Sequence, residues 1–144
     1  MEKKTEIIEN FKRAITSTIK SIIGDENADV VFGNETNKKN KKTINLPSLK
    51  NIKNKVDYIK TRALADSEAL RLKCSDINIY NSFEPQGNTS KLLYAAAEKI
   101  RYENIGSSYF KGIRENLNYF YEIKGKKKIE SKNNDYEFLE AFEY

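Results

Sequence analysis

The side chains best equipped for chemistry are acids and arginines at helical spacing. Glu98, Arg101 and Glu103 lie in LLYAAAEKIRYENIG, and Arg62, Asp66 and Arg71 lie in TRALADSEALRLKCSD. Two carboxylates held close can act as general acid and base. Glu98 and Glu103, five apart on a helix, point about 140° from one another, which argues against a shared site. Arg62 and Asp66, four apart, share a face and can pair, as can Glu68 and Arg71 at a spacing of three. Charges among apolar residues cost several kcal/mol unless partnered. Asp66 interrupts an apolar stripe, so it requires a partner, and Arg62 and Arg101 are the candidates. The pattern supports ion pairing, either for cohesion or for meeting a partner protein, and not turnover.

What is missing agrees with that. The chain has no histidine, the commonest metal ligand and general base, and a single cysteine, Cys74. One cysteine makes neither an internal disulfide nor a thiolate zinc cage, and without a histidine base it is read as a packed thiol. Neither GxxxxGK[ST] nor GxGxxG occurs. MEKKTEIIENF lacks the apolar core of a signal peptide and no stretch reaches the length of a membrane span, so a cytoplasmic location is expected.

The elements that must position these residues follow from periodicity. Ile7, Ile8, Phe11, Ala14, Ile15, Ile19, Ile22 and Ile23 recur at helical spacing over 5–23, with Thr5 as N-cap and Gly24 as C-cap. Val30–Phe32 and Thr43–Leu46 read as short strands of a hairpin spanning about 29–46, joined by the apolar-free loop NETNKKNKK at 34–42. Ser48 is expected to cap a long helix to about Lys73, striped by Ile52, Val56, Ile59, Ala63 and Leu70. Asp76 starts a short helix closed by Pro85. Asn88 or Thr89 caps the next helix, which Gly106 stops. Its two part-apolar faces, Leu93/Ala96/Ala97/Ile100 and Tyr94/Glu98/Arg101/Ile105, predict a helix sandwiched between neighbours. A last helix is expected over 109–123, broken by GKKK at 125–128. The fold class is mainly α, a bundle of about four to five helices with a small two-stranded β-hairpin. Residues 1–124 form the domain and 125–144 a charged tail or the start of a linker.

Composition fits one compact domain. The 144 residues are 38% hydrophobic and 33% charged, with a net charge of +5 and a pI near 9.1. A basic balance is compatible with nucleic acid, through the lysines at 38–42 and 125–128, but the charge is not gathered on one predicted face and nucleic acid is not the expected partner.

Several segments together resemble a known family. FKRAITSTIKSIIGDENADVVFG, the NLP at 45–47, ADSEALRLKCSD followed by Pro85-Gln86-Gly87, LLYAAAEKIRYENIG and FKGIRENL are similar, in order and spacing over about 11–117, to the N-terminal region of CobT-type subunits of aerobic cobaltochelatase. The most specific parts are Ala65-Asp66, Ala69 to Leu72, Asp76, and Glu98, Arg101 and Glu103 followed by Gly106. The resemblance implies a place in cobalamin synthesis, in a complex that uses ATP and Mg to insert cobalt into a corrin ring. A CobS-like AAA+ ring would hydrolyse the ATP and a CobN-like large subunit would carry corrin and metal. The CobT-type subunit couples them, itself non-catalytic and binding no cofactor here. Arg62, Asp66, Arg71, Glu98, Arg101 and Glu103 are then a structural or partner-contact network. Lys73, Cys74 and Ser75 stand where family members tend to carry histidines beside the position of Asp76, which removes a metal role there. The family's von Willebrand-type domain, with its DxSxS ligands, does not occur in this sequence. Adaptors for other AAA+ and von Willebrand-type pairs, such as the nitric-oxide-reductase activation type, are the alternative reading.

Overall fold

The computed structural model describes residues 2–33 and 43–130. The loop at 34–42, with its lysines, and the acidic, aromatic tail from 131 lie outside the described residues. The architecture is mainly α: α1 (Glu2–Ile23), β1 (Asp29–Phe32), β2 (Thr43–Leu46), a 3-10 turn (Leu49–Asn51), α2 (Lys55–Cys74), α3 (Ile77–Ser82), α4 (Asn88–Tyr109) and α5 (Lys111–Glu130). The chain divides into two compact units, Met1–Lys73 and Cys74–Tyr144.

In the first unit, Ile15, Ile19 and Ile22 of α1 are fully buried, as their three-and-four spacing demands, while Ile7 and Ala14 stay at the surface. Phe11 meets Tyr58 of α2 edge-on, ring centres 4.8 Å apart. Gly24 ends α1 at φ +74, with its N–H on the Lys20 carbonyl at 2.8 Å, as its position in the sequence predicts. Thr5 is not the cap, because the helix begins upstream of it.

The two strands form where expected but pair in parallel, Asp29 opposite Thr43 and Phe32 opposite Leu46, so the unit carries no hairpin. The cause is the connection. It lacks the two-residue turn signature that reverses a chain, and ten residues reach about 33 Å when extended. Returning to the start of a four-residue strand needs only about 10 Å. Gly33 closes β1 at φ +88, where a side chain would also crowd Ser48.

Ser48 caps the 3-10 turn and not a long helix. The helical path breaks at Ile52–Asn54, and α2 starts from a reciprocal arrangement. Asp57 N–H donates to Asn54 Oδ1 (3.0 Å), while Asp57 Oδ2 accepts from the N–H groups of Lys53 (2.9 Å) and Asn54 (3.2 Å). The middle of α2 is buried on nearly every side: Thr61, Ala63, Ala65, Asp66, Ser67, Ala69 and Leu70.

In the second unit, Asp76 caps α3 through the N–H groups of Asn78 and Ile79, as expected. Gly87, with no side-chain cap bond, precedes α4 in place of Asn88 or Thr89. Gly106 does not stop α4. It lies buried inside the helix, which runs on to Tyr109, and an interior glycine costs only about 1 kcal/mol, which packing overrides. A single residue, Phe110, separates α4 from α5, and contacts of Tyr121 with Glu103 and Lys99 show the two helices folding back antiparallel. Ile113 and Leu117 form the buried stripe of α5. α5 continues through the GKKK segment to Glu130, since lysine favours helix and one glycine does not end it.

α4 has neighbours on two sides, α3 through Tyr94 and α5 through Glu103, but only one of its faces is buried. Its buried residues are Ala96, Tyr102, Glu103 and Gly106, one stripe, while Leu92, Ala95, Ala97, Arg101 and Ile105 are exposed. Alanine fits either side of a helix, so the two faces inferred from LLYAAAEKI do not exist as buried faces.

A Cβ at Gly24 would meet no atom within 4 Å. Gly24→Ala is therefore expected to cost only the left-handed backbone penalty, about 1–2 kcal/mol, in urea unfolding. A loss below a few tenths would contradict the cap geometry.

Candidate functional site

The six ionisable residues singled out in the sequence divide between the two units, Arg62, Asp66 and Arg71 in the first and Glu98, Arg101 and Glu103 in the second. In the first unit, α2 carries Asp66 at 1% exposure, and Arg62 Nε donates to its Oδ2 at 3.1 Å. The same guanidinium reaches Thr18 of α1 at 3.4 Å, so the buried charge is answered within one turn of helix and tied to a second helix. Arg71 pairs with Glu68 at 2.9 Å on the half-exposed side of α2, a contact of tenths of a kcal/mol.

In the second unit, Arg101 and Glu98 of α4 form a two-pronged pair. Arg101 Nε donates to Glu98 Oε2 (2.7 Å) and Nη2 to Oε1 (2.8 Å). Nη2 also donates to the carbonyl of Cys74 at 2.6 Å, and Ser75 Oγ donates to Glu98 Oε1 at 2.5 Å. The knot ties α4 to the segment Cys74–Ser75 that leads into α3. The hydrogen bond from Arg101 holds the Glu98 carboxyl below its ordinary value, against the upward push of burial, with Ser75 adding to the lowering. Glu103, also buried, accepts from Tyr121 of α5 at 2.7 Å, and Lys99 lies 5.6 Å from the centre of the same ring. Arg101, the other candidate partner for Asp66, is thus engaged by Glu98.

Serine and tyrosine partners escaped sequence reasoning. Ser75 is 23 residues from Glu98, and Tyr121 is 18 from Glu103; neither spacing carries a signal. Tyr94 likewise stacks on Tyr80 at 4.8 Å and donates to its carbonyl, fastening α3 to α4. Burial is the first cause pushing the Tyr80 phenol up.

Among the described residues, no group of three or more His, Cys, Asp or Glu is arranged to hold a metal ion. No helix among them is long and apolar enough to cross a membrane. What the clusters do is join elements. The apolar side chains left outside are a different set: Ile77 and Ile79 of α3, Phe83 just after it at 72% exposure, and Leu92 at the start of α4.

Asp66→Ala is expected to cost about 2–4 kcal/mol, because it strands the Arg62 guanidinium among packed residues. Denaturant unfolding measures it, and a cost under 1 kcal/mol would mean that the pair is dispensable. Glu98 has a folded pKa below its unfolded one. Its stabilising contribution is therefore complete above the unfolded value, near 4.5, and is lost as pH falls through the folded value. Stability should drop with acid in that window, and Glu98→Gln should flatten the drop. An unchanged slope in the variant would assign the acid sensitivity elsewhere.

No solved structure matches the chain. A sequence model of the family described as "Cobalamin biosynthesis protein CobT" matches residues 5–136, which include every helix pair, the parallel strands and all six ionisable residues above. With that match covering most of its length, the chain belongs to the CobT family of cobalamin biosynthesis proteins.

Proposed function

We propose that this chain is a non-catalytic coupling component of an ATP-dependent cobaltochelatase, the assembly that inserts cobalt into the corrin ring in aerobic cobalamin synthesis. The observation that carries the reading is the family match over 5–136. Two structural features support the division of labour. The ion pairs of α2 and α4 are spent on cohesion: Asp66–Arg62 against Thr18, Glu98–Arg101 against Cys74 and Ser75. Ile77, Ile79, Phe83 and Leu92 remain exposed and supply an apolar surface for a partner. In this reading they meet a CobS-like AAA+ ATPase, and the rigid α4–α5 pair passes the ATPase's conformational change toward the CobN-like subunit that holds corrin and metal.

Phe83 is the most exposed large apolar side chain of this set, so Phe83→Asp should lower association with the AAA+ ring by about tenfold or more without changing thermal unfolding. Co-sedimentation with the assembled ring measures it. Unimpaired association of the variant would move the contact away from α3. Failure of the unaltered chain to associate would overturn the coupling role itself.

A further inference from the structure

A second feature, in the first unit, is not accounted for by coupling. α1, the turn that follows it and the end of β1 border an open groove of about 390 Å³, lined by Lys12, Arg13, Thr16, Ser17, Lys20, Glu26 and Phe32. Its volume lies within the range of small-molecule sites, roughly 300–1,000 Å³. Five of the seven residues come from one face of α1, where 12, 16 and 20 form one row and 13 and 17 the next. From Lys12 to Lys20 the row extends about 12 Å.

The groove concentrates three cations against one carboxylate. Most of its polar groups are uncommitted. Among the described residues, Arg13 makes no hydrogen bond or ion pair, and neither do the hydroxyls of Thr16 and Ser17. Thr18, one position on, spends its hydroxyl on the Ala14 carbonyl at 2.8 Å. Lys20 is fixed by one bond to the Glu26 carbonyl at 2.6 Å, leaving two N–H donors. Lys12 pairs with Glu9 at a half-exposed site, a contact weak enough to exchange. Phe32, from the end of β1, is the apolar wall.

We propose that this groove binds a nucleoside phosphate. Arg13 and the two lysines neutralise the phosphates, with the guanidinium taking two oxygens at once. The hydroxyls of Thr16 and Ser17 donate to the remaining phosphate oxygens. Phe32 offers a surface on which a base stacks. The Glu26 carboxylate, ill-placed for a bare anion, is the acceptor that a sugar hydroxyl or an exocyclic amine requires. A row of about 12 Å holds one nucleotide and not a strand.

The test is calorimetric titration of the full chain with ATP, GTP and inorganic tripolyphosphate at low salt. ATP or GTP should bind more tightly than tripolyphosphate. Arg13→Ala should weaken nucleotide binding about tenfold, the worth of one charge-assisted contact, while Lys60→Ala, on the exposed side of α2, should leave it within about twofold. Phe32→Leu should lower nucleotide affinity and leave tripolyphosphate affinity unchanged. If that variant does not fold, amide shifts over residues 12–20 on adding ATP to the unaltered chain replace it, and their absence counts against the site. Equal losses from Arg13→Ala and Lys60→Ala would reduce the groove to diffuse charge. Tripolyphosphate binding as tightly as ATP would remove the nucleoside. Binding of single-stranded DNA with none of mononucleotide, or no binding at about 1 mM nucleotide, would overturn the proposal. Ring association through α3 is measured separately, so either reading fails without the other.

Discussion

A carboxylate at 1% exposure in the middle of α2 is the constraint that the first unit is arranged to satisfy. An isolated buried charge is not tolerated; it must be paired or give up its ionisation. Arg62, one turn earlier on the same helix, meets Asp66 and extends to Thr18, so a single guanidinium answers the charge and joins α1 to α2. The neighbours of Asp66 follow from this. Ala63, Ala65, Ser67 and Ala69 are small or short, which allows packing around the pair, and Ile15, Ile19 and Leu70 supply the apolar volume. A pair of this kind adds little net stability over a hydrophobic replacement, while breaking it is costly. It therefore acts mainly to fix which way α2 faces.

The second unit uses the same device at lower burial. Arg101 is 45% exposed, yet its Nε and Nη2 are committed to Glu98 and the Cys74 carbonyl. Because the carboxylate accepts from both arginine and Ser75, its pKa is held below the ordinary value, against the upward push of burial. Glu103 and Tyr121 repeat the pattern between α4 and α5. Polar side chains thus serve as ties between helices that have few large apolar residues to share.

Local features were legible in the sequence and tertiary ones were not. The isoleucine spacing in α1, the Arg62–Asp66 pair, the Gly24 stop, the Asp76 cap and both strand positions follow from short-range rules. The direction of β2 does not, because residues 33–42 hold no turn signature. The depth of α2 is hidden because Thr61, Asp66 and Ser67 break the apolar stripe that burial ordinarily leaves. The reverse error arises in α4, where Ala97 and Ile105 fit the expected faces and lie outside. Of the polar clusters, pairs three or four apart were readable, whereas Ser75, Thr18 and Tyr121 join only through folding. The ordering of one row of groove residues along α1 is visible in KRAITSTIK; that Phe32 walls it is not.

The corner at Phe110 has a mechanical consequence. One residue between two long helices leaves a single pair of backbone torsions to absorb any change in their mutual angle. A longer joint would let one helix swing while the other stayed still. Here a twist applied to α5 has almost no slack to disappear into, and the Tyr121–Glu103 tie closes the remaining play. The hinge is stiff by brevity, and α4 and α5 behave as the two arms of one crank.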